Sequence, residues 1–318
     1  MLKFVCSWDF ASILNLETSQ PINRESRSEP AGSAGILQRI PWIFPESVMG
    51  IAFTKMSGSG NDFIIIDNRV PVVGDAAKRD FVSKVCTPKL SVGADGVIFV
   101  EDSDQADFRW DFYNADGSSA EMCGNGGRCV ARYALERNIA AEKMSFETTA
   151  GIITAEVKDN HVRICLTASV DLQQDIKIDL NGKTYTVDSL NTGVPHAIVF
   201  SDNVAEEDVR ELGRGIRNHK VFSPAGTNVD FVQKQGDGSL RVRTYERGVE
   251  GETLACGTGV VASALLASQR NLVSPPVKVQ TQGGEVLTVD FSIANGTFGE
   301  VFLEGAVKTV FEGTIVEL

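Results

Sequence analysis

Histidine is scarce in this chain, and its scarcity removes several chemistries at once. The three imidazoles, His161, His196 and His219, are spread through 318 residues with no paired spacing, and the six cysteines include no Cys-x-x-Cys pair. A zinc site, which needs such clusters, is therefore not expected. Positive charge is also short: 30 Lys and Arg against 42 Asp and Glu leave a formal net charge of −12. That balance argues against nucleic acid or an anionic membrane surface as a partner and suits a small zwitterionic substrate. No apolar run is long enough to span a bilayer, and no early stretch joins basic residues, a greasy segment and a small-residue cleavage site. A cytoplasmic protein with reduced thiols is expected.

The length favours two domains. Residues 1–48, polar from Thr18 to Ser33 and without periodicity, are expected to form a poorly ordered N-terminal extension. Trp42 and Phe44, between Pro41 and Pro45, form an apolar patch at its end, and Met49 is a candidate start of the translated chain. From Ile51 onward short strand-like runs recur, among them Ile51–Met56, Phe63–Ile66, Val97–Val100 and Phe108–Tyr113. Ile176–Leu180 and Thr184–Val187 flank Asn181-Gly182, and Val277–Thr281 and Val286–Phe291 flank Gly283-Gly284. Both patterns predict hairpins.

What the chain does have is one short pattern twice. Cys123-Gly124-Asn125-Gly126 and Cys256-Gly257-Thr258-Gly259 each precede a helix-like stretch, with Cys129, Val130, Tyr133 and Ala134 on one face of the first and Val260 to Ala267 small or apolar throughout. A thiol at a helix start faces unpaired N–H groups and the positive end of the dipole, which favour the thiolate. Two such thiols on one cavity could remove a proton from one face of a carbon and return one to the other. The backbone N–H groups of Gly124, Asn125, Gly257 and Thr258 would then hold the adjacent carboxylate. This is racemase or epimerase chemistry, and it requires neither a cofactor nor a metal. An echo, Asn61-Asp62-Phe63 against Asn228-Val229-Asp230-Phe231, adds to the impression of an internal duplication. Cys6, Cys86, Cys129 and Cys165 are expected to be small buried hydrophobes. His161 is expected on an exposed strand, His219 on a loop, and Arg128 and Arg132 on a solvated or interface face. The rival reading is a thiol redox or binding module that joins Cys123 to Cys256.

The order of blocks resembles the diaminopimelate epimerase family. The blocks are Gly58-Ser59-Gly60-Asn61-Asp62-Phe63, Phe112-Tyr113-Asn114-Ala115-Asp116-Gly117-Ser118, Met122-Cys123-Gly124-Asn125-Gly126-Gly127-Arg128-Cys129, Val194-Pro195-His196, Thr227 to Phe231, Tyr245-Glu246-Arg247-Gly248 and Ala255-Cys256-Gly257-Thr258-Gly259. The resemblance implies an α/β fold of two pseudo-symmetric domains, each a curved, antiparallel-rich sheet around a central helix. It implies boundaries at 51–167 plus 302–318 for the domain carrying Cys123, completed by the last strand, and 168–301 for the domain carrying Cys256. It implies interconversion of LL- and meso-2,6-diaminoheptanedioate, serving lysine and peptidoglycan synthesis, by a homodimer. Cys123 and Cys256 would exchange protons with the α-carbon, with His196 and Glu246 assisting them. Asn61, Asn114, Asn228, Glu246 and Arg247 would contact substrate, Arg247 gripping a distal carboxylate. Two positions depart from the family pattern: Val194 replaces an Asn, and Gly96 replaces a Gln found in some members. A two-thiol epimerase of proline or hydroxyproline is the nearest alternative.

Overall fold

In the computed structural model, which describes residues 50–166, 169–294 and 297–318, two series of elements repeat one order. The first runs β1 (Ile51–Gly58), β2 (Asn61–Asp67), α1 (Asp75–Val85), β3 (Gly96–Glu101), β4 (Phe108–Asn114), α2 (Gly124–Glu136), β5 (Lys143–Thr148), β6 (Gly151–Lys158) and β7 (His161–Leu166). The second runs β8 (Val170–Leu180), β9 (Lys183–Asn191), β10 (Pro195–Phe200), α3 (Val209–Arg217), β11 (Asn228–Lys234), β12 (Leu240–Glu246), β13 (Gly251–Thr253), α4 (Gly257–Gln269), β14 (Val277–Gln280), β15 (Val286–Ala294) and β16 (Thr297–Ala306). The last strand, β17 (Lys308–Ile315), returns to the first series. The N-terminal extension, its Trp42 and Phe44 patch, and Cys6 lie outside the described residues.

Strand pairing makes the repeat explicit. β2 and β3 are parallel across α1, as β10 and β11 are across α3. β4 and β5 are parallel across α2, as β12 and β14 are across α4. β17 pairs antiparallel with β1 as β8 pairs with β9, so the chain's end supplies the strand that the first half lacks. The fold is α/β, with two pseudo-symmetric halves. The Asn-Asp-Phe echo needs correction, however: its copies fall on β2 and β11, which are not equivalent strands. β16 pairs with β15 on one side and with β7 on the other, so the two halves share one continuous sheet. The division expected at 301/302 falls inside this strand, and the one at 167/168 lies outside the described residues.

Side-chain alternation explains the layers. On β2, Phe63 and Ile65 join the core around α2 and α4, whereas Ile64 and Ile66 point to a second core beneath α1. Ile98 and Val100 of β3 divide from Val97 and Phe99 in the same manner. Both sheet faces are covered, so these strands read as unbroken apolar runs and not as polar–apolar alternation. α4 is buried from Gly259 to Ser268, which accounts for its small, apolar sequence. The hairpin at Asn181-Gly182 forms with φ of 51° and 80°, the pair of left-handed residues that a type I′ turn needs. α1 and α3 are not evident in the sequence reading, although Asp208 caps α3 by accepting from the Glu211 N–H at 3.1 Å.

Candidate active site

Cys123 and Cys256 are the N-cap residues of α2 and α4, each in extended conformation with its carbonyl accepting the first helical hydrogen bond. The two helix starts stand side by side. A Cβ placed on Gly124 or on Gly257 would lie 3.3 Å from the same Leu303 methyl, and one on Gly257 would lie 3.4 Å from Asn125 Oδ1. Between them opens a cavity of about 440 Å³ lined by both cysteines, Gly124, Asn125, Gly257, Thr258, Asn61, Asn228, Glu246 and Arg247. Ten of the twelve residues singled out in the sequence therefore meet in one place.

The other two do not line the cavity. Asn114 is exposed at the end of β4 and donates from its amide to the Ser118 hydroxyl at 3.0 Å. His196 is wholly buried behind the wall. Its Nδ1 donates to Asp230 Oδ2 at 2.7 Å, since a carboxylate only accepts. Asn228 Oδ1 accepts from the Arg247 N–H at 2.8 Å, which turns its amide nitrogen towards His196 Nε2 at 3.5 Å. Nε2 thus faces donors and carries the lone pair. The Thr258 hydroxyl, 3.0 Å away, donates to it and presents its oxygen to Cys256 Sγ at 3.4 Å. A directed chain runs from the thiol through Thr258 and His196 to Asp230. Asp230 also accepts from the Thr244 hydroxyl at 2.6 Å, and the sequence reading overlooked it.

The electrostatics of the two thiols differ. Burial pushes Cys123 up, against the pull of the Gly126 and Asn125 N–H groups and the Arg128 charge. Burial also raises Cys256, and there the negative Glu246 and Asp230 act in the same direction, against the Thr258 hydroxyl and the Gly259 N–H. Glu246 is itself raised by burial, while the Thr253 hydroxyl, donating at 2.5 Å, pulls it back. The Arg247 guanidinium donates only to the backbone carbonyls of Ala225 and Gly226, so its charge has no carboxylate partner among the described residues.

Several expectations change. Arg128 is wholly buried and not on a solvated face, whereas Arg132 is partly exposed and reaches Glu136 and the Val307 carbonyl. Cys86 and Cys129 are buried as expected, but Cys165 is only half-buried. His161 is exposed on β7; His219 accepts from the Val221 N–H at the start of a short 3₁₀ turn. Val194 lines the cavity. Gly96 has no room for any side chain, because a Cβ there would lie 2.5 Å from the Tyr113 carbonyl oxygen. Its neighbour Asp95 is the polar group the site uses: Oδ2 accepts from Asn61 Nδ2 at 2.9 Å.

The fold is shared with racemases. A probable proline racemase from Agrobacterium radiobacter K84 superposes with a TM-score of 0.65 at 17% identity, over 83% of this chain and 92% of that one. Closer in sequence, diaminopimelate epimerase of Aquifex aeolicus is 47% identical over 283 residues, covering 83% of this chain and 98% of the relative. That of Hydrogenobaculum is also 47% identical, covering 82% and 97%. The sequence model of the family described as diaminopimelate epimerase matches residues 53–171 and 189–310. The chain belongs to the diaminopimelate epimerase family, a family of isomerases. Among the described residues no helix is long and apolar enough to cross a membrane.

Proposed function

We propose that this protein interconverts LL- and meso-2,6-diaminoheptanedioate through Cys123 and Cys256, without a cofactor. The observation that carries the proposal is the convergence of two helix-capping thiols on one cavity. The substrate's reacting carboxylate fits between the helix mouths, where the N–H groups of Gly124, Asn125, Gly257 and Thr258 oppose the charge that builds up as the α-proton leaves. Cys123, whose burial is opposed by the Arg128 charge and by the Gly126 and Asn125 N–H groups, acts as thiolate and takes the proton from one face. Cys256 delivers its own proton to the other face. The enzyme is left with Cys123 protonated and Cys256 ionised, ready for the reverse reaction. Glu246, whose negative charge lies beside Cys256, favours the protonated form of that thiol. Arg247, without a carboxylate of its own, grips the distal carboxylate.

This activity belongs to lysine and peptidoglycan precursor synthesis, and a cytoplasmic homodimer goes with it as an expectation of the family. The deciding experiment is α-hydrogen exchange with solvent deuterium, using LL-diaminopimelate, proline and hydroxyproline in parallel. Exchange and epimerisation with the first alone support the proposal. Exchange only with the cyclic amino acids reassigns the substrate, and no exchange with any leaves a redox or binding role.

A further inference from the structure

Arg128 sits one turn inside α2 with no exposed surface and no carboxylate partner among the described residues. Its Nη2 donates to the Ser59 hydroxyl at 2.5 Å and to Asn125 Oδ1 at 2.9 Å, while Nε and Nη1 have no partner among the described residues. Gly305 packs against the guanidinium: a Cβ there would lie 2.3 Å from a Leu287 methyl and 3.3 Å from Nε, so the backbone of β16 approaches both side chains closely. Burial weakens its hold on the proton, yet arginine starts so high that it stays charged. A buried cation is costly unless an anion comes to it. The described ionisable groups that face it are Cys129, Glu285 before β15, and Cys123; Cys123 in turn faces Glu246 from β12.

We propose that Arg128 is a positioning residue whose buried charge is the counter-charge of the Cys123 thiolate. It acts in two ways. Its field holds the mouth of α2 positive, and its hydrogen bond fixes Asn125, whose Nδ2 then donates to Asn61 Oδ1 at 2.7 Å. The proposal rests on the two-thiol reading and adds the residue that makes the two thiols unequal. Cys256, with Glu246 and Asp230 beside it, has no equivalent cation among the described residues.

The test is the pH dependence of iodoacetamide alkylation in substrate-free protein, read separately on the Cys123 and Cys256 peptides by mass spectrometry. Only the thiolate reacts. Arg128→Gln is expected to raise the Cys123 midpoint by about one pH unit, leave that of Cys256 in place, and lower kcat about tenfold, in proportion to the thiolate lost. Arg128→Lys, which keeps the charge, is expected to restore most of the midpoint but less of the turnover. An unmoved Cys123 midpoint in the Gln variant, or equal shifts in both variants, overturns the proposal and leaves Arg128 a structural group. If the Gln variant does not fold, the wild type decides: Cys123 must alkylate at lower pH than Cys256, and equal or reversed midpoints overturn the idea. Failure of the two-thiol reading looks different, because wild-type protein would then show no α-hydrogen exchange.

Discussion

Gly259 passes so close to Asp230 that a Cβ on it would lie 2.2 Å from Oδ1. The glycine is required by the carboxylate behind it, since its place in the middle of α4's first turn is open to any residue on backbone grounds. Gly259→Ala is expected to push Asp230 off His196, whose Cε1 lies 3.2 Å from the same Cβ position. We expect kcat to fall about a hundredfold, the lower range for a lost acid–base helper, with a lowered melting temperature. Wild-type exchange rates in this variant would show that the Asp230–His196 pair is dispensable.

Cys123→Ala and Cys256→Ala are each expected to abolish epimerisation, because each thiol serves one face of the carbon. Neither truncation opens a large core cavity, so thermal unfolding should change little. Cys123→Ser and Cys256→Ser should also lose most activity, a hydroxyl being a far weaker acid than a thiol. Turnover above a few per cent of wild type in either alanine variant contradicts the mechanism.

Oxidation is expected to inactivate the enzyme reversibly by joining Cys123 to Cys256, and bound substrate should slow it. Peptide mapping before and after reductant checks both points. A different linkage, or undiminished activity, means that the two sulfurs do not converge.

Stability is expected to fall at alkaline pH. Burial pushes the Cys129 thiol from its ordinary 9.0 up to about 12, and Cys86 likewise. The unfolded chain therefore sheds these protons first, so each thiol's contribution is complete below pH 9 and drains away as pH rises towards 12. The slope is about 1.4 kcal/mol per pH unit per thiol. Cys129→Ala should be less stable at neutral pH but show a shallower alkaline decline. Denaturant unfolding at a series of pH values measures both, and parallel curves for the two proteins would refute the assignment.

A chain beginning at Met49 retains every site residue named above, Asn61 being the first. Its kcat and KM for diaminopimelate are expected to match those of the full chain. Insolubility, a much lower melting temperature or weakened substrate affinity would give residues 1–48 a structural part.

The parts of this protein that were legible in the sequence are those fixed by local chemistry. Cys-Gly-x-Gly marks a helix mouth, Asn181-Gly182 marks a turn, and the apolar run Val260–Ala267 marks an enclosed helix. What escaped depends on distant partners. Arg128 looks like a surface residue until the fold brings Ser59, 69 positions earlier, and Gly305 against it. Asp230 sits in a strand run whose neighbours alone give no reason to suspect a hydrogen bond to His196. Asn114 matches its family block, yet it bonds locally to Ser118 and is not part of the cavity lining. α3 did leave a signal, in the Asp208 cap and the buried spacing of Val209, Gly213 and Ile216.

β16 makes the two halves mechanically inseparable. Its residues Val301 to Glu304 are hydrogen-bonded on both edges, to Leu166–Arg163 on one side and to residues from Phe291 to Thr288 on the other. Leu303, the residue whose methyl supports both helix mouths, lies within that stretch. Any motion that widened the gap between the thiols by parting the halves would have to tear a doubly anchored strand. A change in the spacing of the two sulfurs that leaves this strand paired has to come from bending of the sheet that both halves share.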